Sequence, residues 1–133
     1  GGVEVALPDM TLKNRVLKWL FAPDLSASAV TMHDETNGDY QVPTGKRAIC
    51  LGIIGQSGEV DRVITLISND TADSSATEAV LQRWGAMLNT VSYYYKIPTT
   101  MGIAPSDKFV NIYGSITSGS GNYQVLMLEE DNP

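Results

Sequence analysis

The chain has 133 residues, with nine Lys plus Arg against fifteen Asp plus Glu, a formal net charge of −6, 43% hydrophobic residues and 18% charged ones. That length suits one domain with a core that needs no metal or disulfide framework, and the composition excludes a disordered chain. The acidic balance excludes non-specific binding to nucleic acid or anionic lipid, which needs clustered cations, and no apolar run reaches the roughly 20 residues of a membrane helix, so a soluble protein is expected.

Lys13, Arg15 and Lys18 form one short basic patch. Cys50 is the single cysteine, so no intramolecular disulfide can form, and its place between Ile49 and Leu51 reads as a small buried hydrophobe. Gly1-Gly2-Val3 offers neither an initiator Met nor a signal core, which reads as a processing point or a cloning remnant and fixes no compartment.

In chain order, residues 1–10 alternate Val3, Val5 and Leu7 up to Pro8, as an edge strand or an N-terminal arm. Leu12, Val16 and Leu20 fit a helix face over 11–21. The alternation of Leu17, Trp19 and Phe21 fits a strand, and the strand is favoured. Pro23-Asp24 ends it, and 27–32 is a second short strand. Asn37-Gly38, at the centre of the polar 33–39 segment, is the strongest turn dipeptide in the sequence.

Val42-Pro43-Thr44-Gly45-Lys46 follows as a tight turn, because Pro43 has a fixed φ and Gly45 permits a positive one. The Ile- and Val-rich runs on either side of Ser57-Gly58 read as an antiparallel hairpin at the centre of the fold, spanning 39–68. Asn69-Asp70-Thr71 fits a glycosylation sequon and opens a polar loop to Ser75.

Residues 76–88 fit two descriptions equally. Ser75 and Glu78 make a capping box before helically spaced Val80, Trp84, Met87 and Leu88, whereas Gly85 costs a helix roughly 1 kcal/mol and suits an irregular strand. Residues 90–97 alternate as a strand, with Val91, Tyr93 and Tyr95 on one face and Ser92, Tyr94 and Lys96 on the other. After a turn at 101–107, a final pair of strands, 108–116 and 122–128, reads as a hairpin joined through Thr117-Ser118-Gly119-Ser120-Gly121. The fold expected is all-β: one antiparallel β-sandwich domain over 1–133 with jelly-roll or Greek-key topology, and a short helix as the alternative at 76–88.

Tyr40-Gln41-Val42-Pro43-Thr44-Gly45-Lys46-Arg47-Ala48, with the apolar strand after it, resembles a phrase of small β-sandwich proteins of bacteriophage virions. Ile97-Pro98 with Ile103-Ala104-Pro105-Ser106-Asp107-Lys108 is similar to a later turn in the same proteins. The resemblance covers about 40–68 and 91–128. It implies a sandwich placed in a virion as a capsid decoration or a tail or receptor-binding part, and it transfers no catalytic or ligand residue.

The chemistry for catalysis is sparse. His33 is the only histidine, beside Asp34 and Glu35, with no second His or Cys at metal-ligand spacing, and no Gly-x-Ser-x-Gly elbow exists. Gly45-Lys46 fails as a phosphate loop, since the glycine that should lie earlier is absent and Arg47 stands where Ser or Thr would hold magnesium. Asp70 with Asp73, and Glu129, Glu130 and Asp131, read as a solvated loop and an acidic tail rather than calcium ligands. The expectation is a non-enzymatic protein with no cofactor and no metal.

Trp84, Tyr94 and Tyr113 are the candidate binding residues, because Trp and Tyr join a large contact area to a polar tip. Tyr94 shares its face with Lys96, which prefers water. The partners expected are other virion proteins and further copies of the chain, with a trimer preferred. A host glycan is the partner in the alternative reading, a carbohydrate-binding module.

Overall fold

In a computed structural model the structure describes residues 14–25, 28–35, 38–56, 62–87, 92–95, 102–114 and 121–133. The fold is all-β, and no helix occurs among the described residues. The strands are β1 (Val16–Leu25), β2 (Val30–Thr31), β3 (His33–Asp34), β4 (Gly38–Asp39), β5 (Lys46–Gln56) and β6 (Arg62–Asn69). They continue with β7 (Ala79–Met87), β8 (Ser92–Tyr95), β9 (Ile103–Ala104), β10 (Phe109–Gly114) and β11 (Gly121–Asp131). A seven-stranded antiparallel sheet runs β4-β3-β1-β11-β5-β8, with β9 also on β5, and a four-stranded sheet runs β2-β10-β6-β7.

Alternation sets which face of each strand is buried. On β1, Leu20 and Ala22 are fully buried while Leu17 and Trp19 point the other way and stay exposed. On β11, Tyr123, Val125 and Met127 are the inward set. With Cys50 and Ile53 of β5 they meet Ile64 and Leu66 of β6, Leu81 and Trp84 of β7, and Val110 and Ile112 of β10 in one core cluster. Truncating one of the large members to Ala would cost about 2–5 kcal/mol. Gly55 is where β5 must come close to this core, since a Cβ there would stand 2.3 Å from Cδ1 of Tyr123.

The two phrases that carry the virion resemblance fold against each other. In the first, Lys46 N–H donates to Pro43 O at 3.1 Å and Gly45 has a φ of +82°, the positive value that a type II turn demands at its third residue. In the second, Asp107 takes a φ of +68°. Asp107 N–H donates to Val42 O at 2.8 Å and Val42 N–H to Lys108 O at 2.9 Å, while the Ser106 hydroxyl donates to Lys46 O and the Thr44 hydroxyl to Asp107. Strands β3 and β4 pair antiparallel, His33 opposite Asp39 and Asp34 opposite Gly38, while Asn37 of the expected Asn37-Gly38 turn lies outside the described residues.

Two expectations about local structure are corrected, and one left open is decided. The runs around Ser57-Gly58 do not form a hairpin: β5 lies in the larger sheet between β11 and β8, and β6 lies in the smaller one between β10 and β7. Strands β10 and β11 are likewise in different sheets, so the final pair is no hairpin either. A short polar connection serves a crossing between sheets as well as a reversal within one, and the strand edges claimed by distant partners decide which occurs. At 76–88 the structure has a strand, β7, paired with β6, because the apolar Leu81 and Trp84 are drawn into the shared core.

Residues 1–10, with the arm or edge strand expected there, lie outside the described residues, as do the side chains of Tyr93, Tyr94 and Tyr95.

Candidate functional site: an open sheet face and a polar cleft

The outer face of the larger sheet is apolar. Leu17 is 62% exposed and Trp19 44%, and Phe21 on the same side of β1 is half-buried. Leu17 stands opposite Leu128 and Trp19 opposite Leu126, both half-buried, and the next strand in brings Ile49 opposite Leu128. Two adjacent strands, β1 and β11, thus present one run of branched and aromatic side chains to the surface, with Ile49 of β5 buried beside it.

Charge closes this face at one end. Glu130 is 2% exposed. Arg15 Nε donates to its Oε2 at 2.9 Å, and Arg47 donates to Oε1 from Nε at 2.9 Å and from Nη2 at 2.7 Å. The hydrogen bond from Arg15, followed by those from Arg47, outweighs the burial and holds the Glu130 carboxyl below its ordinary range. Beside it, Asp131 takes Lys46 Nζ at 2.7 Å and Asn14 Nδ2 at 2.7 Å.

Glu129 points the other way, into a recess of about 260 Å³ lined in part by Lys18, Asp34, Tyr40 and Glu129. Tyr40 Oη donates to Glu129 Oε2 at 2.7 Å, and Lys18 Nζ lies 3.1 Å from Asp34, 3.9 Å from Glu129 and 5.9 Å from the Tyr40 ring centre. Burial first, and the hydrogen bond to Glu129 second, push the Tyr40 hydroxyl far above its ordinary pKa. The solvated acidic tail expected at 129–131 is therefore corrected: Glu129 and Glu130 are buried strand residues, each answered by partners more than 80 positions away. His33 Nε2 faces Asp39 at 3.1 Å. Among the described residues, no three His, Cys, Asp or Glu side chains gather into a set that could hold a metal ion.

The outer face of the smaller sheet is built differently. Asn111, between the core residues Val110 and Ile112, turns outward yet is fully buried. Its Nδ2 donates to Asn69 Oδ1 at 2.8 Å and to Thr71 O at 2.9 Å, and its Oδ1 accepts from the Thr31 hydroxyl at 2.7 Å. Asn69 Nδ2 donates to Ser74 O and Ala76 O, so the sequon asparagine spends its amide inside the network and is 2% exposed. Thr31 and Asp73 clasp each other: Thr31 N–H donates to Asp73 Oδ1 at 2.9 Å, and Asp73 N–H to Thr31 Oγ1 at 2.8 Å. At the outer end of the same loop, Lys108 Nζ reaches Asp70 and Glu78, each at 2.7 Å. Lys108 holds Asp70 below its ordinary range and is itself raised, first by Asp70.

Beside this loop lies a cleft of about 480 Å³ lined by Ser28, Ala29, Asp73, Ser75, Tyr113 and Gly114. The three candidate binding aromatics thus part company. Tyr113, half-buried at the end of β10, lines the cleft. Trp84 is 4% exposed and belongs to the core cluster. Tyr94 is paired with Ile53 in the larger sheet, and its side chain lies outside the described residues. The exposed Leu17 and Trp19 are surface features that the reading of their alternation, used only to support a strand, passed over. Their signal was present: both faces of 16–21 carry large apolar residues, more than one core can take.

No family model matches the chain, and no curated protein matches it. Among solved structures it is similar to one described as "Bacillus endospore appendages form a novel family of disulfide-linked pili", at a TM-score of 0.49 and 10% identity over 98% of this chain and 100% of that one. It is also similar to a chain of the cyanophage Pam1 capsid asymmetric unit, at a TM-score of 0.41 and 18% identity over 98% and 94%. A third likeness is to the virus-like particle of the giant freshwater prawn Macrobrachium rosenbergii extra small virus, at 0.43 and 13% over 99% and 88%. At these scores and identities none of the likenesses assigns a function.

Proposed function

We propose that this protein is a non-enzymatic structural subunit of a bacteriophage particle, which joins neighbouring copies of itself and other virion proteins through the outer face of the larger sheet. The observation that carries the reading is that face: Leu17 and Trp19 are exposed beside Phe21, Leu126 and Leu128 on contiguous strands. Contiguous apolar surface of this kind marks an interaction site.

Charge favours a second copy as the occupant. The chain as a whole carries −6, yet at the edge of this face Glu130 is flanked by Arg15 and Arg47, so two such faces meet without the repulsion that the rest of the surface would impose. The turn phrases at 40–48 and 103–108, similar to those of phage-virion sandwiches, support placement in a particle, as capsid decoration or as part of a tail. A closed ring of three is the assembly we expect.

Sedimentation and light scattering of the wild type and of the Leu17→Ser/Trp19→Ser double variant test the reading. The wild type should associate, with a mass of about three chains, and the variant should run as a monomer. A wild type that stays monomeric up to millimolar concentration, or a variant that associates unchanged, would overturn it.

A further inference from the structure

We propose that the cleft between the end of β10 and the 70–76 loop is a binding site for an uncharged saccharide. The site lies on the outer side of the smaller sheet, away from the apolar face of the larger one, and does not depend on self-association.

Rigidity is the first argument. Asp73 has a φ of +52°, a left-handed conformation uncommon outside glycine, and the reciprocal hydrogen bonds with Thr31 hold it there. Thr31 is fixed in turn by Asn111, and Asn111 by Asn69, whose amide ties down Ser74 and Ala76 on either side of Ser75. The wall that carries Asp73 and Ser75 is therefore set by a buried hydrogen-bonded network before any ligand arrives, which lowers the ordering cost of binding.

The chemistry of the lining selects the ligand class. An ionised carboxylate offers about four acceptor positions, and the Thr31 N–H occupies one on Oδ1 of Asp73. The rest suit ligand hydroxyl donors. Ser28 and Ser75 bring hydroxyls that both donate and accept, and Tyr113 brings a ring against which the C–H face of a sugar can lie. Among the described residues no Lys or Arg lines the cleft, so there Asp73 meets an anionic ligand with repulsion alone. A single carboxylate among hydroxyls is a poor cation site. The volume is within the range of about 300–1,000 Å³ usual for small-ligand pockets.

The test is chemical-shift mapping of the wild type against glucose, galactose, N-acetylglucosamine and their disaccharides, with sialyllactose as the anionic control. Shifts clustered at Ser28, Thr31, Asp73, Ser75 and Tyr113, saturating with a neutral sugar, are the expected result. Asp73→Asn keeps an acceptor for the Thr31 N–H but loses the charge, and should weaken binding about tenfold or more. Tyr113→Ala should weaken it similarly, with unchanged amide spectra elsewhere reporting intact folding. Absence of any shift at these residues at tens of millimolar sugar, a response to sialyllactose alone, or full affinity in both variants would each overturn the proposal.

Discussion

The two outer faces of the sandwich solve opposite problems. On the smaller sheet, outward-pointing Asn111 and Thr31 are polar, and the 70–76 loop is bonded down over them until both are buried. On the larger sheet, outward-pointing Leu17 and Trp19 are apolar and remain in contact with solvent. Polar groups buried beneath a loop give directional fixation at a high cost of error, because each lost partner leaves another group unsatisfied. Apolar groups left at the surface add little to the fold of one chain and have most to gain from a second surface. A strand sequence therefore reveals two different roles by what it places on the side away from the core.

That contrast breaks most sharply at Asn111. Replacing it with Ala removes three hydrogen bonds from a fully buried site and strips partners from Thr31, Asn69 and Thr71, so a loss of about 3–5 kcal/mol is expected in urea unfolding. A loss under about 1 kcal/mol would mean that the loop is held by other means.

Glu130→Gln should cost about 1–3 kcal/mol, since one of the two accepting oxygens becomes an NH2 that cannot accept from an arginine and the ion pairs with Arg15 and Arg47 are lost. Its pH dependence has a definite sign. The folded-state pKa of Glu130 is lowered from 4.5, so the carboxylate's contribution is fully present above that value and is lost as pH falls through the folded-state pKa. The stability gap between wild type and variant should thus be constant at neutral pH and close on acidification below about pH 4.5, as read from urea midpoints at each pH.

The smallest effect belongs to the open face. Leu17→Ser with Trp19→Ser, measured where the chain is monomeric, should change unfolding free energy by only about 0.5 kcal/mol per site, as surface substitutions do. A much larger loss would show that these side chains serve the fold of the single chain and not an interface.

What was legible in the sequence follows the range of the forces involved. The Val42–Lys46 turn was readable because a few adjacent residues dictate the backbone there. The all-β class was readable from branched and aromatic alternation. The pairing of β5 with β11 in place of β6 was not, since Ile53 carries no mark of its partner Val125, 72 positions on. Glu129 and Glu130 looked like solvated tail acids for the same reason: Tyr40, Arg15 and Arg47, which hold them, come from the far end of the chain. Trp84 and Tyr113 were equivalent as letters, and only the facing of β7 and β10 sent one to the core and the other to the cleft.

The placement of β11 has a consequence for how the molecule comes into being. This strand lies between β1 and β5, pairing Val16 with Glu129 on one side and Lys46 with Asp131 on the other, so the larger sheet is split until its last segment arrives. During synthesis the earlier strands leave the ribosome with two unsatisfied edges facing a gap, and the closure that follows spans nearly the whole described chain. Contacts of such long sequence separation make folding slow, and the waiting edges are open to strands of other nascent chains. The interval before β11 emerges is therefore when those edges most need to be kept from other strands.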